Sequence, residues 1–467
     1  MNSNLLYSNF SAVKVGDESF SAAEYGFYYK SAYYGFVNQY GDYIEAIGLD
    51  TTKPLSSQPY GEDGQTWADF FKENALTTMK NETMLWAEAQ KAGFKLSEAD
   101  QKALDTNLEG LKTAYTQTDF PSANKYFAAN YGKGCTLKVV SKLLERGTIA
   151  QAYKAEMQKS FSFTDAELET NYKDNADSYD NFNYISYFVD GSVPEETPEP
   201  DAASGTDLPA ESPKPSAEPA PKLDSKSAME AAKKTANTIV DTSKTAQDFT
   251  KTVLALTQKD ASETTTAGSQ LNAEFAKWLQ DPARKEGDKT VIEAETGYYA
   301  LYFISRDDNN TATKNVRHIL NFVLPDENKQ YTDEAKASVK AKTEAILADW
   351  KKGEATEDSF AALANEKSED AGSNKNGGLY ENVAQGQMVK SFDDWCFDES
   401  RKPGDTGIVY NEGSYAGYHL IYFVGDGDNV RKVISDNALR GAKYTEWETA
   451  ALKNYETSTG ATASLVS

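Results

Sequence analysis

This 467-residue chain has two histidines, His318 and His419, the residue type whose ordinary titration falls near neutral pH and which most often serves as a general acid or base. Each sits in a short apolar run of strand type, RHILNFV and GYHLIYF. If those two strands are neighbours in one sheet, the imidazoles meet in mid-sheet. Such a pair either satisfies its own ring nitrogens inside the fold or offers a polar floor for chemistry, and the two roles overlap. A metal centre would need a third ligand at a recognisable spacing, and the sequence supplies none beside them. The two cysteines, Cys135 and Cys396, are far apart and form no CxxC pattern, so each reads as a small buried hydrophobe.

The elements that must carry the histidines come from an internal repeat. The frame F-x-x-W-x-x-D-x-x-R-K-x-G-D runs from Phe275 and again from Phe392, and the strand GYYALYF corresponds to GYHLIYF. Upstream, NYISYFV from Asn183 looks like the counterpart of RHILNFV from Arg317, which puts Tyr184 and Tyr299 where the second copy has His318 and His419. Cys396 then takes the place of Leu279, a packing position, which argues against a nucleophile. In the second copy the pattern predicts a strand over Val316–Val323, helices over Thr332–Lys351 and Ser359–Asn365, and a strand near Leu379. A helix over Met388–Phe397 and strands near Ile408 and over Tyr418–Val424 complete it. The expected fold is α+β, with helices packed on a four-stranded antiparallel or mixed sheet in each copy.

Residues 10 to 180 read as helical. Ser21 with Glu24, Ser97 with Asp100 and Thr164 with Glu167 have helix-opening spacing, and Phe70, Phe71, Leu76, Met79, Leu85 and Trp86 outline an apolar stripe. Aromatics make up 12% of the chain, which suits Tyr-rich amphipathic helices whose faces either pack together or bind peptide. Residues 191–222 hold eight of the 14 prolines among Glu, Ser and Ala, and cannot bury enough apolar surface to order themselves. A net charge of −24 with no basic stripe excludes nucleic acid as a partner. No apolar run is long enough for a membrane span, and the opening Met1 with polar, aromatic residues after it suggests that a signal or anchor has been removed.

The second copy resembles the parvulin family of peptidyl-prolyl cis/trans isomerases. VRHIL, F-A-x-L-A from Phe360, S-E-D-A-G-S from Ser368, GGL from Gly377, GQM-x-x-x-F from Gly386 and GYH from Gly417 occur in the family's order over about 110 residues. The resemblance implies that His318 and His419 form a hydrogen-bonded pair at the floor of the site, with Asp370 beside them. Met388, Phe392 and Leu379 are implied as walls of a proline pocket. Two departures stand out: GGLYENV replaces the usual GGDLG turn with one residue more before GQM, and Ala416 stands where some members carry a hydroxyl. The first copy, lacking both histidines and having Leu271 in place of Met388, is expected to be a degenerate parvulin-like domain. The opening VKVGDESFSAAEYGFYY and the tail Ala438–Glu456 are similar to the chaperone domain of PrsA/SurA-type foldases.

The resemblance therefore implies a helical chaperone domain over 1–180 completed by the helix at 430–460, a degenerate domain over 181–310, and an isomerase domain over 314–426. It implies an extracytoplasmic foldase that needs no cofactor and acts on unfolded, proline-containing client polypeptides, with a membrane met only through a removed N-terminal anchor. The alternative is a holdase chaperone whose parvulin-fold domains bind peptide without catalysis. No basic cluster accompanies the site residues, so phosphorylated substrates are not favoured.

Overall fold

The computed structural model describes residues 3–61, 64–192, 225–413 and 416–466. Met1 and, from residue 193 onward, the Pro-rich insertion lie outside the described residues. The chain divides into two units, one formed by Met1–Thr164 with Asp436–Ser467 and the other by Asp165–Ser435. The first division falls ahead of the boundary at 180 that the sequence suggests. The helices Asp165–Asp174 and Ala176–Tyr179 are tied to the sheet that follows them. The Tyr172 hydroxyl donates to Asp180 Oδ1 at 2.7 Å, and Asn309 Nδ2 donates to the Tyr172 hydroxyl at 3.0 Å.

The unit that holds both ends of the chain is helical, with a three-stranded sheet and a two-stranded pairing of Pro59–Tyr60 with Gln65–Thr66. Glu24 accepts from the Ser21 amide at 2.7 Å while Ser21 Oγ accepts from the Glu24 amide at 3.3 Å, the reciprocal cap that starts the helix Ala22–Tyr40. Thr66 and Asp69 do the same for Trp67–Lys91. Tyr25, Tyr29, Trp67, Phe71 and Met79 bury their side chains in a shared core, so the helical spacing of apolar residues has its cause in packing. Arg146 is 4% exposed. Its guanidinium lies 4.9 Å from the Phe20 ring and 4.3 Å from the Trp86 ring and pairs with Glu18 at 3.1 Å. The tail differs from expectation. Its helix runs over Val430–Leu452, and the strand Thr457–Thr459 then pairs with Ser11–Val15, Val13 opposite Thr459, in a three-stranded antiparallel sheet with Glu18–Ser21.

In the other unit the repeat is architectural. The first copy orders its strands Glu263–Ala267, Asn181–Asp190, Gly297–Asp307 and Lys289–Ala294, and the second orders Leu379–Val383, Ala312–Phe322, Gly417–Asn429 and Thr406–Asn411. All pairings are antiparallel. The shared frame builds the same turn twice. Arg284 lies 4.1 Å over Trp278 and Arg401 lies 4.0 Å over Trp395, and each guanidinium Nε donates to the carbonyl of the tryptophan it covers, at 3.0 and 3.1 Å. Gly287 and Gly404 hold φ of 85° and 92°, which a side chain would oppose.

The opening strands align two residues away from the sequence comparison. Both central pairs carry a bulge at one place, between Phe303 and Ser305 opposite Tyr184 and Asn183, and between Phe423 and Gly425 opposite Val316 and Asn315. Tyr184 therefore corresponds to Val316, and Ser186, not Tyr184, stands where the second copy has His318. Tyr299 does occupy the place of His419, since Phe303 and Phe423 share the bulge.

The second copy packs helices Asp333–Lys352 and Glu357–Lys367 on one face of its sheet through Ile319, Leu420, Trp350 and Phe360. Val316, Ile421, Phe423, Phe392 and Cys396 close the opposite face. The double-glycine turn is forced by crowding: Gly378 has φ +67°, and a Cβ there would sit 2.3 Å from the His318 carbonyl oxygen. The Gly378 carbonyl accepts from the His318 amide at 2.8 Å, so the turn holds the histidine's own backbone. Gly378→Ala is expected to destabilise this unit by roughly 2–4 kcal/mol through left-handed strain and overpacking, measured as a lowered midpoint in urea unfolding.

Candidate active site

His318 and His419 lie on adjacent antiparallel strands, His318 opposite Ile421 and His419 opposite Leu320. A two-residue diagonal offset keeps both side chains on one face, and the rings stack with centroids 5.7 Å apart and planes 11° from parallel. Both are buried. The hydrogen bond that His318 makes through Nε2 goes to Asp370 Oδ2 at 2.9 Å rather than to the other imidazole. Near-parallel rings present faces to each other instead of a nitrogen to a nitrogen, which is why a direct bond between them does not form.

Asp370 is brought there by backbone accounting. The strand Leu379–Val383 pairs with the opening strand only over residues 314 to 317, and beyond it the loop Ser368–Ser373 supplies partners. Ser368 Oγ accepts from the Leu320 amide at 3.1 Å, the Leu320 carbonyl accepts from the Glu369 amide at 2.8 Å, and Glu369 Oε2 accepts from the Phe322 amide at 2.7 Å. The Asp370 carboxylate collects four donors. Oδ2 accepts from His318, from the Tyr380 hydroxyl at 3.0 Å and from the Ser373 hydroxyl, and Oδ1 accepts from the Gly372 amide at 3.1 Å. The hydrogen bond from His318, reinforced by Ser373, holds this carboxyl well below the ordinary carboxylate range against the opposing effect of burial. It is therefore an acceptor at neutral pH, and the proton it shares with His318 resides on Nε2.

Above this floor opens a cleft of about 520 Å³ lined by both histidines, Asp370, Met388, Phe392 and Tyr380 among others. Phe392 is buried and stands edge-on to both imidazoles, 5.5 Å from His318 and 5.7 Å from His419. The helix that carries it spans Lys390–Cys396, so Met388 lies in the turn ahead of it rather than one helical turn back along it. That turn is fixed by the Gly386 amide donating to Asp393 Oδ1 at 2.8 Å. Leu379 is not among the lining residues. Successive residues of a strand point to opposite faces, and it is Tyr380 that faces the cleft. The same alternation from His318 selects Leu320 and Phe322, which also line it, a signal the sequence contained. Ala416 is buried and accepts from the Val323 amide through its carbonyl at 3.0 Å, a backbone role. Burial pushes the Cys396 thiol up to about 12, which leaves it without nucleophilic character at neutral pH.

In the first copy the corresponding space holds aromatic rings. Tyr299 packs 4.8 Å from Phe188 and 5.2 Å from Phe275, and Asn272 Nδ2 donates to the Tyr299 hydroxyl at 3.2 Å.

Strand order, stacked histidines and an apolar cleft over a fixed carboxylate define the second copy as a parvulin-type module. Residues 299–425 match the family model of the PPIC-type PPIASE domain, so this chain carries a parvulin-type peptidyl-prolyl isomerase domain. Solved structures similar to the chain include the peptidylprolyl isomerase PrsA of Bacillus anthracis, at 22% identity over 31% of this chain and 59% of that one, with a TM-score of 0.19. PrsA of Bacillus cereus is similar at 23% identity over 32% and 50%, TM-score 0.19. A SurA-like chaperone of Campylobacter jejuni is similar at 12% identity over 64% and 82%, TM-score 0.17. The chain thus spans between half and three fifths of the two PrsA chains. No curated protein matches it. The domain assignment rests on the family model and on the residues above.

The depressed Asp370 carboxyl has a sign that can be measured. A carboxylate whose folded-state value lies below its unfolded value stabilises the fold above about pH 4, and that contribution is lost as pH falls toward the depressed value. Asp370→Asn is expected to flatten the fall in stability between about pH 4 and pH 2, read from urea midpoints of both proteins across that range.

Proposed function

We propose that this protein is an extracytoplasmic foldase that isomerises X-Pro bonds in unfolded client polypeptides at the cleft over His318, Asp370 and His419. The observation that carries the reading is the pairing of an apolar, ring-sized slot with a fixed polar floor. Rotation about an X-Pro bond crosses a barrier of about 18–20 kcal/mol because amide resonance must be broken. No bond is cleaved, so a site needs only to favour the twisted amide over the planar one. Met388, Phe392 and Tyr380 grip the pyrrolidine ring and exclude water from one side of the amide, which disfavours its polar planar form. The two imidazoles and Asp370 present hydrogen-bonding groups to the peptide at the floor. His318, Asp370 and His419 are assigned the catalytic roles, and Met388, Phe392 and Tyr380 the substrate-binding ones, Tyr380 replacing Leu379.

The holding half of the reading is supported by a groove of about 1240 Å³ in the helical unit, walled by Phe27, Phe94, Leu111, Phe127, Tyr131 and Leu143. An extended polypeptide rich in apolar side chains fits such walls. Among the described residues no helix is long and apolar enough to cross a membrane; the extracytoplasmic setting is part of the proposal.

A protease-coupled assay on a proline-containing tetrapeptide tests it. The full-length protein is expected to exceed the uncatalysed rate, with kcat/KM falling roughly tenfold or more in Met388→Ala and in His419→Ala. In the full chain carrying Met388→Ala with Phe392→Ala the rate is expected to drop to background, because rings fill the first copy's cleft. A wild-type rate at background together with suppression of client aggregation would leave the holdase alone.

A further inference from the structure

The mechanism above leaves unused the hydroxyl of Tyr380, on which the resemblance placed no role. Its ring lies 5.2 Å from the His318 ring at 62°. Its oxygen donates to the same Asp370 oxygen that accepts from His318 Nε2. A single carboxylate oxygen therefore receives three donors, from His318, Tyr380 and the Ser373 hydroxyl. Three donors from three separate segments, the opening strand, the loop after Ser368 and the short edge strand, fix both the rotation of the carboxylate and the direction of its lone pairs. With the Tyr380 hydroxyl absent, one restraint on the rotation of the carboxylate is lost, and the partner of His318 Nε2 is less firmly directed.

We infer that Tyr380 is a positioning residue, whose hydroxyl holds Asp370 so that His318 is locked as the Nε2–H tautomer while its ring walls the proline slot. The catalytic consequence rests on the isomerase reading; the tautomer lock does not. The lock acts through Asp370 and leaves the wall intact when only the hydroxyl is removed, which separates Tyr380 from a residue that merely fills space.

Two measurements on the full chain decide it. Because the chain has only two histidines, the imidazole nitrogen signals in a ¹⁵N-histidine-labelled sample are few, and a His419→Gln sample assigns them. Wild type is expected to show His318 as the single Nε2–H form, and Tyr380→Phe to show a mixture of the two neutral tautomers. An unchanged Nε2–H signature in Tyr380→Phe overturns the inference whether or not the protein is an isomerase. In the tetrapeptide assay, Tyr380→Phe is expected to lower kcat roughly fivefold to tenfold with KM little changed. The same change is expected to have no effect in an Asp370→Ala background, which removes the acceptor through which its route passes. An equal loss in both backgrounds overturns the lock. A wild type without activity removes the isomerase reading and leaves the nitrogen spectrum to decide the tautomer.

Discussion

The second module is organised by the pairing of two long antiparallel strands, Ala312–Phe322 and Gly417–Asn429, in one register. A slip of one residue in either strand would send an imidazole to the helix-covered face. There it would lie among Ile319, Leu420, Trp350 and Phe360, away from Asp370. The bulge at Phe423 and Gly425 and the latch of Ser368 and Glu369 on the outer edge of the opening strand secure that register from two sides. Everything at the site inherits from this arrangement. The carboxylate reaches His318 because the loop replaces a missing strand partner, and the cleft exists because the edge strand stops short.

The two modules show how one scaffold separates structural from chemical residues. What they share is turn and packing chemistry: the Arg over Trp, the left-handed glycine and the bulge. What differs is the face above the sheet. In the first module Tyr299, Phe188 and Phe275 meet as rings, and Ser186 stands at the place of His318. In the second, imidazoles and a carboxylate occupy that level and a hollow remains above them. The scaffold is indifferent to the exchange because the side chains concerned project from its face and do not bear on the strand ladder.

Much of the second module was legible in the sequence, because strand and helix periods there are strong and its residues stand in the order of a known family. Each misreading has a physical cause. Leu379 was carried over from the resemblance through the GGL motif, whereas the pleat decides which of two neighbours faces inward and turns Tyr380 to the cleft. Tyr184 was set against His318 by the likeness of two short apolar runs, whereas the bulge that both copies share at one place puts Ser186 there, two residues on. The strand Thr457–Thr459 carries no apolar alternation and is held by backbone bonds alone, so composition could not announce it. The break at Thr164 depends on Tyr172, Asp180 and Asn309 meeting across a long stretch of sequence, which no local pattern records.

The pairing of Val13 with Thr459 also bears on the order of assembly. A polypeptide emerging from its N-terminus presents Ser11–Val15 long before the last strand exists, and that edge stays open until the final residues arrive. The intervening unit, Asp165–Ser435, has all its residues earlier. Closing so distant a pair is slow relative to local contacts, so the helical unit is the later of the two to mature. Until then its first strand is an exposed edge awaiting the chain's own far end.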